Sequence, residues 1–202
     1  MWWVELETRR ELAHGTSEGE VHASAVIEAG AVIDQRLGPV TIGAKSRVCA
    51  GAMIKGPVTI GDQCMIGNLA LIRGPTLIGN RVAIGFAAEV KAAVIEDDVA
   101  IGPQCFIADS LIEHGAYLGA QVRTSNHRLD QQSVGVFAAG KLVDSGREKL
   151  GCRIGARAAL GIQVIVLPGR EIAAGATFAP RITVERNLPT GRYRLTQTLE
   201  SF

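Results

Sequence analysis

Lys55, Arg73 and Lys91 are residues whose type and spacing could do chemistry, because they stand at equal intervals of eighteen residues. Each cation directly follows an aliphatic residue, so the three share one local context. In a backbone that coils once every eighteen residues, their side chains would stack about 5 Å apart. Cations so close repel one another, and a multiply charged anion among them removes the repulsion. The spacing predicts a phosphate-binding column; the alternative is three solvated side chains paired with acids such as Glu89.

The element that would position this column is a six-residue repeat of aliphatic residues. The repeat is strict at nine positions: Ile42, Val48, Ile54, Ile60, Ile66, Ile72, Ile78, Ile84 and Val90. The same step runs through further positions on both sides: Val21, Ile27, Ile33, Ile95, Ile101, Ile107, Ile112, Leu118, Ile154, Leu160, Val166, Ile172, Phe178 and Val184. A period of six is typical of hexapeptide solenoids. Three hexads then close one triangular coil, so the predicted fold class is all-β, a parallel β-helix.

The residues around each aliphatic position predict the shape of the coil. A small side chain often stands four residues later, as at Ser46, Ala52, Cys64, Ala70, Thr76 and Ala88, which fits a narrow interior. A glycine often follows the aliphatic residue directly, as at Gly43, Gly61, Gly67, Gly79 and Gly85. We expect these glycines to serve tight turns that demand positive φ.

Breaks in the period indicate where the chain leaves the coil. Ile33 to Ile42 contains three extra residues, whereas Val90 to Ile95 and Ile107 to Ile112 are each one residue short, which a tightened corner can absorb. The largest break is the polar stretch 125–153, which is long enough to be a functional loop.

The repeat also defines the predicted organisation of the chain. Residues 21–185 form the β-helix with its inserted loop at 125–153. Residues 1–20 are predicted to be an N-terminal cap or arm, and residues 186–202 a C-terminal arm, because an uncapped solenoid exposes pairing edges.

Composition narrows the classes of function. At 202 residues with 47% apolar content, the repeat leaves no room for a second globular unit. A net charge of +1 gives no support for nucleic-acid or membrane-surface binding. No apolar run long enough to span a membrane and no signal peptide is evident, so we expect a cytoplasmic protein.

The cysteines lack metal-like pairing and are predicted to be small core or surface residues: Cys49, Cys64, Cys105 and Cys152. No metal is expected.

Several segments carry a family resemblance. They are Gly-Pro-Val-Thr-Ile-Gly at 56–61, Leu-Ile-Arg at 71–73, Glu-Val-Lys at 89–91, Asp109-Ser110, Leu-Gly-Ala at 118–120 with Asn126, and the loop segment 140–151. With these motifs the chain, from about Pro57 to Val184, resembles the carboxy-terminal acetyltransferase domain of bifunctional sugar-1-phosphate nucleotidylyltransferases, especially the archaeal-type proteins related to bacterial glucosamine-1-phosphate acetyltransferase-uridylyltransferase. No Gly-rich nucleotide-binding segment precedes the repeat, so the resemblance concerns the acyl-transfer domain alone.

The resemblance implies a left-handed coil and a homotrimer with acetyl-CoA and sugar-phosphate sites in clefts between neighbouring solenoids. It places Arg73 and Lys91 on the family's sugar-phosphate contacts and Asn126 near the acetyl group. Tyr117 falls where the family has a sugar-binding asparagine. The pattern departs at the chemistry, because Pro103 falls at the family's histidine base and Phe106 at its tyrosine.

A substituted base and a cofactor groove complete the predicted site. His127, next to Asn126 at the mouth of the loop, is the candidate replacement base, and the alternative is an exposed loop residue. Backbone N–H groups of Gly119 and Ala120 are candidate oxyanion donors, and the alternative is an ordinary Gly-rich corner of the coil. For acetyl-CoA the segment 155–181, with Gly161 in it, offers a groove and cations to hold the phosphates: Arg157, Arg170 and Arg181. The alternative is that these are arginines at solenoid corners without a ligand. Convergence of the groove, Asn126 and the loop residue Lys141 across a subunit boundary would favour a transferase over a scaffold protein.

Three functions remain open from the sequence. The first is an acetyl-CoA-dependent acyltransferase acting on a sugar phosphate or nucleotide-linked sugar. The second is a trimeric sugar-phosphate-binding or scaffold protein that has lost catalysis. The third, a zinc enzyme like the γ-class carbonic anhydrases, is disfavoured, since His114 and His127 lack a third histidine at suitable spacing.

Overall fold

A computed structural model describes residues 1–12 and 19–197 of the chain. This part of the chain winds through three parallel sheets, faces 1, 2 and 3 in that order, and strands pair with those of the neighbouring coils. The architecture is a left-handed parallel β-helix, so the predicted fold class is confirmed. Residues 13–18 of the predicted N-terminal cap or arm, including His14, lie outside the described residues.

The strands of the three faces are short, two or three residues each. Face 1 contains β1 (Val26–Ile27), β4 (Arg47–Val48), β7 (Met65–Ile66), β10 (Ala83–Ile84), β13 (Ala100–Ile101), β16 (Tyr117–Leu118), β21 (Ala159–Leu160), β24 (Thr177–Phe178) and β26 (Arg192–Tyr193). Face 2 contains β2 (Val32–Asp34), β5 (Met53–Lys55), β8 (Leu71–Arg73), β11 (Glu89–Lys91), β14 (Phe106–Ala108), β17 (Arg123–Thr124), β22 (Ile165–Val166) and β25 (Thr183–Val184). Face 3 contains β3 (Val40–Ile42), β6 (Val58–Ile60), β9 (Thr76–Ile78), β12 (Val94–Ile95), β15 (Leu111–Ile112), β20 (Arg153–Ile154) and β23 (Glu171–Ile172).

The repeated aliphatic residues point inward and stack in register from coil to coil. On face 2, Ile54 pairs with Ile72 and Ile72 with Val90, and all three are fully buried. Burying one such side chain contributes roughly 1.5–3 kcal/mol. The stack continues through one buried cluster from Val40 to Val184. The residues that repeat every six positions in the sequence therefore form the continuous core of the coil.

The glycines that follow the aliphatic residues allow close contact between coils, so the reason predicted for them was wrong. Positive φ falls two residues later, for example at Gln63 (57°) and Arg81 (56°). A Cβ on Gly61 would lie 2.6 Å from the carbonyl oxygen of Gly79, and a Cβ on Gly79 would lie 2.8 Å from the backbone nitrogen of Asp97. These glycines are therefore required because the backbone of the next coil occupies the space of a side chain.

The two short steps of the period occur at the corner between faces 2 and 3, which we call corner 2–3. Arg73 is separated from Thr76 by two residues, whereas Ala92 alone fills the corresponding corner between Lys91 and Ala93. Ala92 adopts a φ of 46°, and one coil below, Asp109 adopts a φ of 48°. The predicted tightened corners are confirmed.

The long loop leaves the coil after β17 and returns at β20, as its position in the sequence predicts. It contains an antiparallel hairpin of β18 (Gly135–Ala138) and β19 (Lys141–Asp144).

A helix that the sequence did not predict, α1 (Trp2–Glu11), lies on the outer side of face 3 against β9, β12 and β15. Residues of helix, coil and loop form a second buried cluster there: Trp2, Trp3, Leu6, Val94, Leu111, Val134, Val136 and Leu150. The N-terminal residues 1–12 thus lie along the flank of the coil.

The coil continues at both ends of the strict repeat. Val21 forms a bridge with Ile42 at one end, and Leu188 forms a bridge with Ile172 at the other. β26 adds a further strand to face 1, where Tyr193 stacks on Phe178 with ring centroids 4.8 Å apart. Residues 188–193 therefore extend the coil beyond Val184.

The remaining predictions on composition concern cysteines and membranes. All four cysteines are buried free thiols, which is one of the two predicted environments. Burial raises the pKa of Cys152 to about 12. Within residues 1–12 and 19–197, the structure contains no helix with the length and apolar character needed to cross a membrane.

Candidate functional site

The three cations form the expected column on face 2. Lys55 pairs with Arg73, and Arg73 with Lys91, in adjacent strands. The Arg73 guanidinium donates to the Glu89 carboxylate, with an Nε–Oε1 distance of 3.0 Å. The Lys91 Nζ lies 3.2 Å from an Asp109 carboxylate oxygen. The stacking is confirmed, and two of its cations also have the acidic partners that the alternative interpretation proposed.

Asp109 connects this column to the loop and to α1. Its carboxylate is almost buried, with the residue 8% exposed. It accepts a hydrogen bond from Asn126 Nδ2 at 2.6 Å and lies 3.5 Å from Arg10 Nη1. Arg10 also donates to the Ala92 carbonyl oxygen at 2.9 Å. Two predicted site residues, Lys91 and Asn126, are thus held by one carboxylate, which α1 contacts from outside the repeat.

Arg10 and the central role of Asp109 were not predicted from the sequence. Asp109 was noted only as part of a motif, although its place in a shortened corner sets it apart. Arg10 lies in α1, outside the periodic part of the chain, so the repeat gives no information about its position.

His127 lies beside a cavity at corner 2–3, below the cation column. The cavity has a volume of about 550 Å³ and is lined by Ser125, His127, Arg128, Leu129, Asp130, Leu167 and Pro168. His127 is exposed, and its backbone forms a bridge with Lys149 on the returning arm of the loop. The Arg128 guanidinium lowers the pKa of Asp130 to about 2, so this wall of the cavity carries a paired charge.

Three predicted cofactor residues form a column at the corner between faces 1 and 2, corner 1–2. The Gln163 N–H donates to the Ala120 carbonyl at 2.9 Å, and the Arg181 N–H donates to the Ile162 carbonyl at 2.9 Å, which places Ala120, Gly161 and Arg181 on successive coils. A second cavity of about 360 Å³ lies beside them on face 2, lined by Gln121, Arg123, Gln163, Ile165, Arg181 and Thr183.

The three arginines predicted to line a groove over 155–181 do not share one surface of the chain, so this prediction was wrong. Arg181 lies at corner 1–2, Arg170 at corner 2–3 and Arg157 at the corner between faces 3 and 1. Each corner is separated from the next by a face of the coil, so the three guanidiniums point in different directions. Lys141 lies on the exposed hairpin, nearer to corner 2–3 along the chain than to corner 1–2.

Tyr117 and the departures from the family pattern lie on other parts of the coil. Tyr117 is 55% exposed on face 1, in register with Ala100 and Ala159, and so does not share a face with Arg73. Pro103 is exposed at corner 1–2, and its carbonyl accepts the Gln121 N–H at 2.9 Å, which places it one coil above Ala120. Phe106 lies on face 2, in register with Glu89.

A ladder of glutamine amides runs beside Pro103 and was not recognised in the sequence. Gln121 Nε2 donates to Gln104 at 2.9 Å, and Gln163 Nε2 donates to Gln121 at 2.8 Å. Each glutamine stands three residues after an inward aliphatic residue, which was the available signal. Corner 1–2 therefore offers amides beside the position where the resemblance to the bifunctional enzymes implies an imidazole.

Comparison with solved structures supports the class of protein that the coil defines, the left-handed parallel β-helix proteins built from hexapeptide repeats. LpxA from Acinetobacter baumannii superimposes with a TM-score of 0.51 and 14% sequence identity, over 78% of this chain and 66% of that chain. At this identity the likeness shows the fold alone. No family model matches the sequence.

Sequence relatives identify the family. An uncharacterized acetyltransferase, YaiX of Escherichia coli strain 536, is 58% identical over 168 residues, which are 83% of this chain and 73% of YaiX. The chain therefore belongs to the YaiX family of acetyltransferases. A bifunctional sugar-1-phosphate nucleotidylyltransferase/acetyltransferase of Sulfurisphaera tokodaii is 36% identical over 107 residues, 53% of this chain and 27% of that protein.

Proposed function

We propose that this protein transfers an acetyl group from acetyl-CoA to a sugar phosphate or a nucleotide-linked sugar. The observation that carries the acceptor class is the column of Lys55, Arg73 and Lys91, which runs along one edge of face 2 towards Asn126 and His127. Membership of the YaiX family and similarity to a bifunctional sugar-1-phosphate enzyme support the acetyl donor and the sugar acceptor.

Each residue has a defined part in this proposal. Arg73 and Lys91 bind the acceptor phosphate, and Lys55 extends the positive edge. Because Asn126 Nδ2 is engaged by Asp109, its Oδ1 is the atom left to orient the acceptor. Tyr117 is proposed to contact the sugar from face 1 of a neighbouring copy, since it is exposed there.

His127 is the proposed base, with its imidazole taking a proton from the attacking hydroxyl or amine. The acceptor oxygen or nitrogen bonds to the thioester carbonyl carbon, and the negative charge on the carbonyl oxygen is stabilised by the backbone N–H of Ala120 at corner 1–2. Gly119, the other candidate donor, is excluded because its N–H donates to the Leu160 carbonyl oxygen at 2.7 Å. The carbon–sulfur bond then breaks, and the thiolate of coenzyme A leaves and receives the proton held by the histidine.

A site between neighbouring copies would bring the two corners together. In one chain, Ala120, Gly161 and Arg181 lie at corner 1–2, while Asn126 and His127 lie at corner 2–3. Because a ring of identical chains places different surfaces of neighbours face to face, a homotrimer can join the acetyl-CoA edge of one chain to the acceptor edge of the next. Lys141, on the hairpin that projects from the coil, is proposed to reach the cofactor of the adjoining chain.

A second candidate is a trimeric binding or scaffold protein without catalysis. It is favoured by the acidic partners of Arg73 and Lys91 together with Pro103 at the family's histidine position. Under this alternative, sugar phosphate would still bind to the column, but no acetyl group would be transferred.

Calorimetric titration with acetyl-CoA tests the transferase, because it needs no guess about the acceptor. We expect saturable binding that Arg181→Gln weakens about tenfold, as for loss of a charged hydrogen bond. Arg157→Gln is the matched control, since Arg157 is also a corner arginine with positive φ, but at another corner. Absence of heat at millimolar ligand would reject the transferase and favour the scaffold.

A further inference from the structure

A third cavity lies below the inserted loop, at the lower end of corner 2–3. It has a volume of about 260 Å³ and is lined by Phe137 of the hairpin and by Arg170, Glu185, Arg186 and Asn187 of the last coils. Phe137 is 51% exposed, so a large part of its ring is open to solvent. One wall is thus aromatic, and the opposite walls carry two guanidiniums and a side-chain amide.

The two arginines of this cavity lack carboxylate partners. Within the described ranges, no carboxylate oxygen lies within 4.0 Å of the nitrogen atoms of either guanidinium, although Glu185 lines the same cavity. Half-buried Arg170 is held in place because its Nε donates to the Glu185 carbonyl oxygen at 2.8 Å. Its two terminal nitrogen atoms remain available to an incoming anion.

The surrounding charges make this cavity favourable for an anion. Burial and the nearby Arg128 guanidinium both lower the pKa of Arg170, so the charge of Arg170 is destabilised where it stands. An anion between these groups would relieve both effects, and guanidinium groups bind phosphate oxygens in a bidentate manner. Asn187 accepts the Glu171 N–H through its Oδ1, which leaves its amide N–H₂ as a further donor.

We infer that this cavity binds a nucleoside phosphate, with the planar base on Phe137 and the phosphate on Arg170 and Arg186. The volume of about 260 Å³ can hold one nucleoside monophosphate. The ligand is a free nucleotide, recognised by a planar base joined to a phosphate. The inference is independent of the transfer reaction, because it uses neither the cation column nor corner 1–2.

Adenosine monophosphate is the probe, measured by calorimetry with the full chain. We expect Arg186→Gln and Arg170→Gln each to weaken binding about tenfold. Arg186 is exposed, so its variant remains informative if Arg170→Gln disturbs folding. Phe137→Leu should weaken adenosine monophosphate while leaving inorganic phosphate unchanged, because it removes only the aromatic surface.

The control variants separate this site from the proposed acetyl-CoA site. Arg157→Gln and Arg181→Gln should bind adenosine monophosphate like the wild type, whatever their effect on acetyl-CoA. Equal affinity of the wild type and Arg186→Gln, or equal loss in Arg157→Gln, would overturn the inference. Competition by adenosine 3′,5′-bisphosphate, but not by ribose 5-phosphate, would support the nucleotide, whereas equal competition by both would reject a role for the base.

Discussion

At the scale of the residue, Asp109 is the point where the candidate site and its support meet. Its carboxylate contacts Lys91, Asn126 and Arg10, three donors from the coil, the loop and α1. A buried carboxylate with several donors is stable only while they remain in place. The positions of the proposed phosphate-binding lysine and the acceptor-orienting asparagine therefore depend on each other.

Arg73→Gln should weaken sugar-phosphate binding about tenfold with little change in melting temperature, because Arg73 is a partly exposed residue whose loss removes a charged hydrogen bond. The measurement is calorimetric titration with a sugar phosphate, alongside thermal unfolding. Arg47→Gln is the matched control, since Arg47 also forms an ion pair on the coil, but on face 1. Equal affinity in the two variants would show that the column is only a set of solvated ion pairs.

At the scale of the element, the period of the sequence predicted the coil, the loop and the short corners. It did so because each inward position must repeat wherever the chain crosses a face. The eighteen-residue length of one coil could also have shown that Arg157, Arg170 and Arg181 lie at different corners. Their spacings of 13 and 11 residues are not multiples of eighteen. It could not place α1, whose contacts with face 3 and the hairpin come from segments distant in sequence.

Helix α1 joins the loop to the coil, and Leu6 is its most deeply buried residue at 1% exposure. Leu6→Ala should destabilise the fold by about 2–5 kcal/mol, because it opens a cavity between face 3 and the hairpin. Trypsin should then cut the exposed Lys141 faster than in the wild type, since the hairpin loses part of its packing.

Val4→Ala is the control for this helix, because Val4 is 48% exposed in the same element. Val4→Ala should change the unfolding free energy by no more than about 0.5 kcal/mol. It should also leave the rate of trypsin cleavage unchanged. If Leu6→Ala behaved like Val4→Ala, α1 would not be holding the loop.

At the scale of the whole molecule, the two edges of face 2 decide how a complete site can form. One chain carries the proposed acetyl-CoA residues at corner 1–2 and the acceptor residues beside corner 2–3. A single chain can join them only across face 2, whereas a closed ring joins opposite edges of two neighbours. The two arrangements differ in which chain supplies each half of the site.

Co-expression of Arg181→Gln with Arg73→Gln distinguishes them, since each variant is expected to be defective at a different edge. If the two variants enter trimers equally and at random, about one quarter of the sites combine the unaltered corner 1–2 of an Arg73→Gln chain with the unaltered cation column of an Arg181→Gln chain. About one quarter of the wild-type activity should therefore return. Light scattering checks that the assemblies are trimers. Arg73→Gln with Lys91→Gln is the control, because both changes affect the same edge and no mixed site is intact. Recovery of activity for Arg181→Gln with Arg73→Gln, but not for the control pair, requires a site shared between chains. If neither pair recovers activity, both halves of the site lie on one chain.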